Sequence, residues 1–340
     1  RENWSSEQWE DWQNEKLAYI LHRAATKVPY YRNYWQKRRL HGDKASFEKL
    51  SNWPILKKET VRQNPRAFIA EDCNIKRMFC EHTSGTTGTP LSIYSSIDTI
   101  RKWYALFEAR IRRWHGVSIK DRWAILGGKL VVPFKQTRPP FWVWNKGLNQ
   151  LYMSSYHLSF KWVEYYLEAL YKYKISYILG YPSSIYTIAN AILFKKNVSI
   201  PSLKVIIGNA EPFFSYQREV ISKFFKCPIR ETYGMAELVY AASECEFGKL
   251  HIWPEIGFGE ILDVNEDRPV EIGKLGRLVA TGLLNVDMPL IRYEVGDVVS
   301  LSSEATCFCG RKIPILRNIE GRNDDLIITK DGRLIGRLDP

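Results

Sequence analysis

Residues 175–234 decide the fold. Ile175-Ser176-Tyr177-Ile178-Leu179 is a short apolar run stopped by Gly180, and Ser183 to Phe194 has helical periodicity. Val205-Ile206-Ile207 repeats the apolar run and the stop at Gly208. Val220, Phe224 and Phe225 mark a further helix face, and Ile229 to Thr232 runs into Tyr233-Gly234. Upstream, Trp162, Val163, Tyr166, Leu167 and Leu170 line one face of another helix. Alternation of short apolar strands with helices predicts an α/β fold, a largely parallel sheet with covering helices. Such sheets bind ligands beyond the carboxyl ends of their strands. The loops at Gly180, Gly208 and Tyr233 are therefore the places to look for a site.

The texture changes on either side. Residues 5–70 read as helical, with Ser5 or Ser6 as N-cap, Trp9, Trp12, Leu17, Ile20 and Leu21 at near-helical spacing, and Val28-Pro29-Tyr30-Tyr31 ending the helix. Phe79 to Thr83 reads as a strand, and Thr99 to Trp114 as a helix. Beyond 250, short β-type runs (Gly276 to Thr281, Pro289 to Tyr293, Val298 to Leu301, Leu326 to Thr329) lie between Gly, Asp and Asn. They predict a small antiparallel or barrel-like unit. The expected organisation is a helical segment 1–78, an α/β core 79–245, a β-rich subdomain 246–330 and a hinge region 331–340.

Composition limits the class. The 340 residues are 45% hydrophobic and 25% charged, which suits a globular protein with a sizeable core. No run approaches the roughly 20 apolar residues of a membrane span. The net charge of +12 fits a polyanionic ligand but does not choose one. Lys37-Arg38-Arg39, Arg110 to Arg113 and Lys172 to Lys174 are scattered without a recognition motif, so a nucleic-acid partner is not expected. Six dispersed cysteines and no leader-like start predict a reduced, cytoplasmic setting.

The strongest local motif is Thr83-Ser84-Gly85-Thr86-Thr87-Gly88-Thr89-Pro90. Its glycines permit a tight turn with backbone N–H groups against an anion, and its hydroxyls donate to phosphate oxygens. No Gly-Lys-Ser/Thr follows, so it is not a Walker loop. Four more motifs follow in order: Asn209-Ala210-Glu211-Pro212, Tyr233-Gly234-Met235-Ala236-Glu237, Tyr293-Glu294-Val295-Gly296-Asp297 and Gly321-Arg322-Asn323-Asp324-Asp325.

Together these five resemble the motif series of the adenylate-forming superfamily: acyl-CoA synthetases, nonribosomal-peptide adenylation domains and luciferases. Val28 to Tyr31, Met288 to Tyr293 and Cys307-Phe308-Cys309-Gly310-Arg311 resemble the phenylacetate–coenzyme A ligase branch. Asp331 to Leu338 is closer to its capsular-polysaccharide-biosynthesis subgroup. The resemblance implies the acyl-CoA synthetase-like large domain, with mostly parallel sheets and a small β-barrel-like subdomain. It implies that Thr83 to Thr89 hold the ATP phosphates, with Thr83 among the catalytic groups. Asn209 to Pro212, Tyr233, Gly234 and Met235 line the nucleotide. Glu237 holds Mg²⁺, Asp297 and Arg322 hold the ribose, and Tyr181, Pro182 and Ala236 border the acid. The plainer alternatives, which the motif context outweighs, are a surface acid at Glu237, a turn residue at Asp297 and, at Arg322, a partner of Asp324 or Asp325. Ala236 departs from the hydroxyl residue usual in the superfamily.

The implied activity is ATP-dependent formation of an acyl-adenylate from a carboxylic acid, with acyl transfer to coenzyme A, a sugar or an amine. Nucleotidyl transfer to another acceptor and non-catalytic nucleotide binding are the alternatives. The family's mobile C-terminal domain, with its adenylation lysine, has no counterpart here, so the 340 residues read as the large N-terminal domain. Cys245, His251, Cys307 and Cys309 supply three thiolates and an imidazole, a donor set suited to structural Zn²⁺, and the resemblance strengthens that reading. Reduced cysteines near a surface histidine is the plain alternative. Cys73, Cys80 and Cys227 are expected to be small buried residues, and His157 a structural histidine. The acid and the oligomeric state are not legible.

Overall fold

A computed structural model describes residues 1–82, 90–192, 200–304, 306–322, 327–328 and 334–335. In chain order its main elements are α1 (Ser6–Lys27), α2 (Pro29–Leu40), α3 (Lys58–Gln63), β1 (Phe79–His82), β2 (Ser92–Ser95) and α4 (Ile97–Phe107). Next come β3 (Trp123–Gly127), β4 (Trp142–Asn145), β5 (Gln150–Ser154), α5 (Val163–Lys172), β6 (Tyr177–Gly180), α6 (Pro182–Ile192), β7 (Val205–Gly208), α7 (Ser215–Phe225) and β8 (Ile229–Gly234). The chain continues through β9 (Ala241–Glu244), β10 (Leu250–Ile252), β11 (Gly257–Leu262), β12 (Gly276–Gly282), β13 (Tyr293–Leu301) and β14 (Ile315–Arg322). A two-residue pair, β15 (Ile327–Ile328) and β16 (Leu334–Ile335), follows. None of the described helices is long and apolar enough to cross a membrane.

The chain divides into two compact units. The first comprises residues 1–105, 234–242 and 249–340, and the second residues 106–233 and 243–248.

In the second unit the strands run β8-β7-β6-β3-β5-β4. All neighbours are parallel except the edge strand β4. The predicted alternation is thus a parallel sheet. Burial on both faces explains why its strands read as unbroken apolar runs. Leu126, Met153, Ile178 and Ile206 from the sheet pack with Tyr166, Leu170, Ile188 and Ile221 from the helices. Sequence reading misses β3, β4 and β5.

In the first unit β11-β12-β13-β14-β10-β9 follow in that order, antiparallel wherever a register is defined. This is the antiparallel form of the expected β-rich region, without a closed barrel among the described residues. One expectation is corrected. Pro289 to Ile291 is not a strand, and Tyr293 to Leu301 forms one strand rather than two runs. Gly296 carries the ladder through with φ +91°, a backbone state open to glycine at no steric cost.

Ser5 caps α1 in a capping box with Gln8. Val28 is extended, as a residue before proline must be. Pro29 then starts α2 at its first turn rather than only ending α1. The N-terminal helices are pinned within the first unit. Gln13 donates to the Pro254 carbonyl at 3.0 Å, Arg23 to the Val286 carbonyl at 2.7 Å, and the Ile291 amide to Tyr31 Oη at 3.0 Å.

Candidate functional site

In the first unit, two of the sequence motifs meet at Glu237. Its carboxylate is buried, 6% exposed. Tyr293 Oη donates to Glu237 Oε1 at 2.9 Å, and Lys58 Nζ lies 3.1 Å from the same oxygen. The turn that delivers Glu237 closes through the Leu238 amide on the Met235 carbonyl at 3.1 Å, with Leu238 at φ +54°. Tyr293 is placed by its own ladder and by the loop before α3. The Leu56 amide donates to the Arg292 carbonyl at 2.8 Å, and the Glu294 amide to the Leu56 carbonyl at 2.9 Å. The same loop therefore delivers both Tyr293 and Lys58 to Glu237.

A second acid stands close. Glu81 on β1 reaches solvent, yet it is crowded enough by neighbouring protein, and near enough to the Glu237 charge, to hold its carboxyl above the ordinary range. Neither Lys58 nor Glu81 carries a sequence signal, because each becomes notable only through a partner far along the chain.

Arg292 anchors the Met288 to Tyr293 stretch. It adopts φ +46°, binds Glu260 through Nε at 3.0 Å and Nη2 at 3.1 Å, and donates from Nη1 to the Trp53 carbonyl at 2.8 Å. On the adjoining ladder, Asp297 and Arg322 are direct partners of β13 and β14. The two positions expected at the ribose thus come from one backbone pair, and Asp297 is 9% exposed. Thr83, Ser84, Gly85, Thr86, Thr87, Gly88 and Thr89 lie outside the described residues. Met235 and Ala236 are half-buried beside Glu237.

In the second unit the predicted loops sit at the carboxyl ends of parallel strands. Gly180 and Gly208 are register partners across β6 and β7. A Cβ on Gly180 would come 2.7 Å from the Leu126 carbonyl oxygen, and one on Gly208 2.2 Å from the Phe213 ring. The Asn209 amide donates to the Gly180 carbonyl at 3.0 Å, and Thr232 Oγ1 to the Gly208 carbonyl at 2.8 Å. Ala210 turns the chain at φ +65°. Glu211 Oε2 accepts from the Ser183 amide at 3.0 Å, capping α6, where Pro182 occupies the first turn. Its carboxylate is therefore already engaged, while Pro212 is exposed. Glu231, two residues before Tyr233, is held by Arg218 at 2.8 Å, and Arg218 also reaches Glu244 at 3.1 Å. Burial nevertheless pushes the Glu231 carboxyl up against the opposing pull of Arg218. Tyr233 and Gly234 end this strand.

Tyr181 Oη would lie 2.6 Å from a Cβ on Gly128, and Tyr156 Oη donates to the Gly128 carbonyl at 2.9 Å. Tyr152 joins them, its phenol raised by burial. Tyrosines thus surround Gly127-Gly128. His157 is a structural histidine, as expected. Its ring bonds Ser154 Oγ at 2.8 Å and the Phe134 carbonyl at 3.2 Å, and stacks on Phe141 at 4.8 Å.

His251, Cys307 and Cys309 come together in the first unit, their ligand atoms within 4.8 Å of one another. His251 is fully buried on β10. Its Nδ1 bonds the Ile313 carbonyl at 3.0 Å, and Nε2 lies 3.3 Å from Cys309 Sγ. Fixing one imidazole nitrogen on a carbonyl so that the other faces the thiolates is the usual arrangement around a zinc ligand. Donors sharing a tetrahedral Zn²⁺ stand about 3.5 Å apart, so this pair fits. Gly310 at φ +78° closes the Cys307–Gly310 turn. Burial alone would push the Cys309 thiol up. The Arg311 amide, Cys307 and the Arg311 guanidinium outweigh it and hold the thiol below its ordinary value. Cys245 is buried at the end of β9, six residues before His251.

Of the remaining cysteines only Cys227 is buried. Cys73 is half-buried and Cys80 exposed, against expectation.

A buried motif glutamate gripped from two chain segments in one unit, and glycine-cleared carboxyl ends of a parallel sheet in the other, define a nucleotide-dependent α/β enzyme. The chain belongs to the AMP-binding enzyme family, whose model matches residues 10–286, and it is an adenylate-forming ligase. It is similar to Protein CapK of Staphylococcus aureus, 28% identical across 95% of this chain and 70% of that protein. It is similar to the phenylacetate-coenzyme A ligase of Aromatoleum evansii, 25% identical across 94% of this chain and 71% of the ligase. Its fold matches 2-hydroxyisobutyryl-CoA ligase in the postadenylation state with a TM-score of 0.73 at 19% identity, over 98% of this chain and 71% of that one.

Proposed function

We propose that this chain binds ATP, converts a carboxylic acid to an acyl-adenylate and passes the acyl group to coenzyme A. A carboxylate is a poor electrophile. Attack of its oxygen on the α-phosphorus of ATP expels pyrophosphate and leaves a carbonyl bearing AMP as a good leaving group. Such a step needs positioning and charge compensation rather than covalent chemistry by the protein. The observation that carries the reading is the 2.9 Å bond from Tyr293 to Glu237. It joins two motifs that the reaction requires together, on a carboxylate that a lysine also faces.

In this reading residues 83–89 cradle the phosphates. Asn209 to Pro212 and Tyr233 border the adenine, with the Glu211 side chain acting through α6 rather than on the base. Asp297 and Arg322 hold the ribose. Glu237 suits Mg²⁺, because a buried carboxylate oriented by Tyr293 offers the hard oxygen that ion takes; when bound, Mg²⁺ neutralises phosphate charge. Lys58 is a positioning residue that holds Glu237 in place through its 3.1 Å contact. Tyr181, Pro182 and Ala236 border the acid. Cys245 completes a structural zinc site with His251, Cys307 and Cys309. A cytoplasmic setting fits the six free cysteines. Residues 331–338 support a sugar or amine acceptor as the second reading.

ATP–pyrophosphate exchange across aryl, fatty, hydroxy and amino acids tests the activity. One acid class supports exchange, Glu237→Gln lowers it about a hundredfold, and Lys58→Met lowers it while leaving ATP affinity within about threefold. An absence of calorimetric ATP binding overturns the proposal.

A further inference from the structure

The β1–β2 hairpin carries a group that the activity does not use. Its register pairs Cys80 with Tyr94 and His82 with Ser92. On β2, Ile93 and Ser95 are buried while Ser92 and Tyr94 are half-exposed. Cross-strand partners share a face, so Cys80, His82, Ser92 and Tyr94 lie on the outward one. Cys80 and His82 are themselves exposed. His82 Nδ1 lies 3.2 Å from Ser92 Oγ, and His82 Nε2 lies 3.9 Å from Cys80 Sγ.

A thiol, an imidazole facing it, and a third group orienting the imidazole make the arrangement that activates a sulfur nucleophile. With its proton on Nδ1 and donated to Ser92, His82 turns the Nε2 lone pair toward the Cys80 thiol. The two other cysteines outside the His251 cluster differ. Cys73 is bound to Asp287 at 3.3 Å, and burial with that carboxylate pushes its thiol up to about 12. Cys227 is buried and its thiol is pushed up to about 11.

We propose that Cys80 is a site of reversible thiolation by small disulfides, with His82 as its base and Ser92 as the residue that orients the base. His82 Nε2 takes the Cys80 proton. The thiolate attacks one sulfur of the disulfide, a Cys80–S–S–R bond forms, the original S–S bond breaks, and the other half leaves as a thiolate that solvent protonates. One thiol is oxidised for each half-disulfide reduced, and a free thiol reverses the step. Cys80 stands three residues before Thr83. Resting on the reading of residues 83–89 as the phosphate loop, the attached group lowers ATP affinity and makes the site a redox brake on the ligase.

The test is reaction of the whole protein with 2,2′-dithiodipyridine at pH 7, followed by release of thiopyridone and by peptide mapping. Residues 78–101 form one tryptic peptide in which Cys80 is the only cysteine, so its rate is read apart from Cys307 and Cys309. Cys80 is expected to react at least roughly tenfold faster than Cys73. His82→Asn should slow it roughly tenfold and Ser92→Ala by a smaller factor, with the Cys73 rate unchanged as the mark of an intact fold. Added imidazole should restore the His82→Asn rate. An equal Cys80 rate in wild type and His82→Asn overturns the base assignment, and a Cys80 no faster than Cys73 overturns the site.

Calorimetric ATP titration before and after labelling supplies the second arm. Binding that weakens at least tenfold on labelling and returns with dithiothreitol supports the brake. Equal binding overturns the brake. An absence of binding by the unlabelled protein refutes the phosphate-loop reading while leaving the labelling result standing.

Discussion

Cys73 shows how neighbours set the chemistry of a single group. Arg23 reaches across it to Asp72 at 2.7 Å, while Asp287 Oδ1 lies 3.3 Å from its sulfur. Removal from water and the Asp287 carboxylate both oppose a thiolate, and together they outweigh the arginine, pushing the thiol up to about 12. Because the folded protein holds this proton more tightly than the unfolded chain, the stabilisation is fully present below the ordinary thiol range. It is lost as pH rises through 9 toward 12. Iodoacetamide at pH 8.5 should therefore label Cys73 at least roughly tenfold more slowly in the native protein than in guanidinium. Substituting Asp287→Asn should raise the native rate. A native rate equal to the denatured one would show that the sulfur is not held as described. The same residue marks a boundary of sequence reading, since nothing in Asp72-Cys73-Asn74 announces an aspartate from the other end of the chain.

At the scale of elements, the legible parts were those whose pattern is local. The strands β6, β7 and β8 were readable because burial on both faces makes each a continuous apolar run ending in glycine. β3 and β5 belong to the same sheet, but their apolar runs are only three residues long in β3 and broken by Gln and Tyr in β5, too short and mixed to separate from loop although β3 ends at Gly127. The strand boundary at Tyr293 was missed because Met288-Pro289-Leu290-Ile291 is apolar yet tied by side chains. Arg292 is fixed by Glu260, and the Ile291 amide by Tyr31. The motif residues were legible one by one, whereas the grip of Lys58 on Glu237 was not, because it is a tertiary event.

The two rim glycines give a graded prediction. At Gly180 an added Cβ meets the Leu126 carbonyl, backbone fixed in the adjacent strand, and at Gly208 it meets the Phe213 ring, a side chain able to turn. Gly180→Ala should therefore cost more than Gly208→Ala. The expected ranges are about 3 kcal/mol or more for the first and about 1–2 for the second, with Phe213→Leu recovering part of the second. Urea unfolding of the three variants decides it, and equal losses would show that the strand ends relax more freely than their contacts imply.

Across the whole molecule, the thiolate–imidazole cluster matters because of how much chain it closes. His251 is on β10, while Cys307 and Cys309 lie in the connection from β13 to β14. The ladders between them provide only two register pairs of β10 with β14. A bound ion would therefore cross-link a long loop where the strand pairing is short. It would do so with ligands that the fold already orients through the Ile313 carbonyl and the turn at Gly310. A ligand that binds only the folded state stabilises it by mass action, about 4 kcal/mol at a thousandfold excess over its dissociation constant. One zinc per chain should thus appear in elemental analysis of protein purified without chelator. Stripping it should lower the midpoint of thermal unfolding by roughly 10 °C. Cys309→Ser and Cys245→Ser should each reproduce that loss and show no further change on chelation, because the variants no longer have an ion to lose. Protein free of zinc, with a midpoint unmoved by chelator, would show that the fold holds the cluster together without an ion.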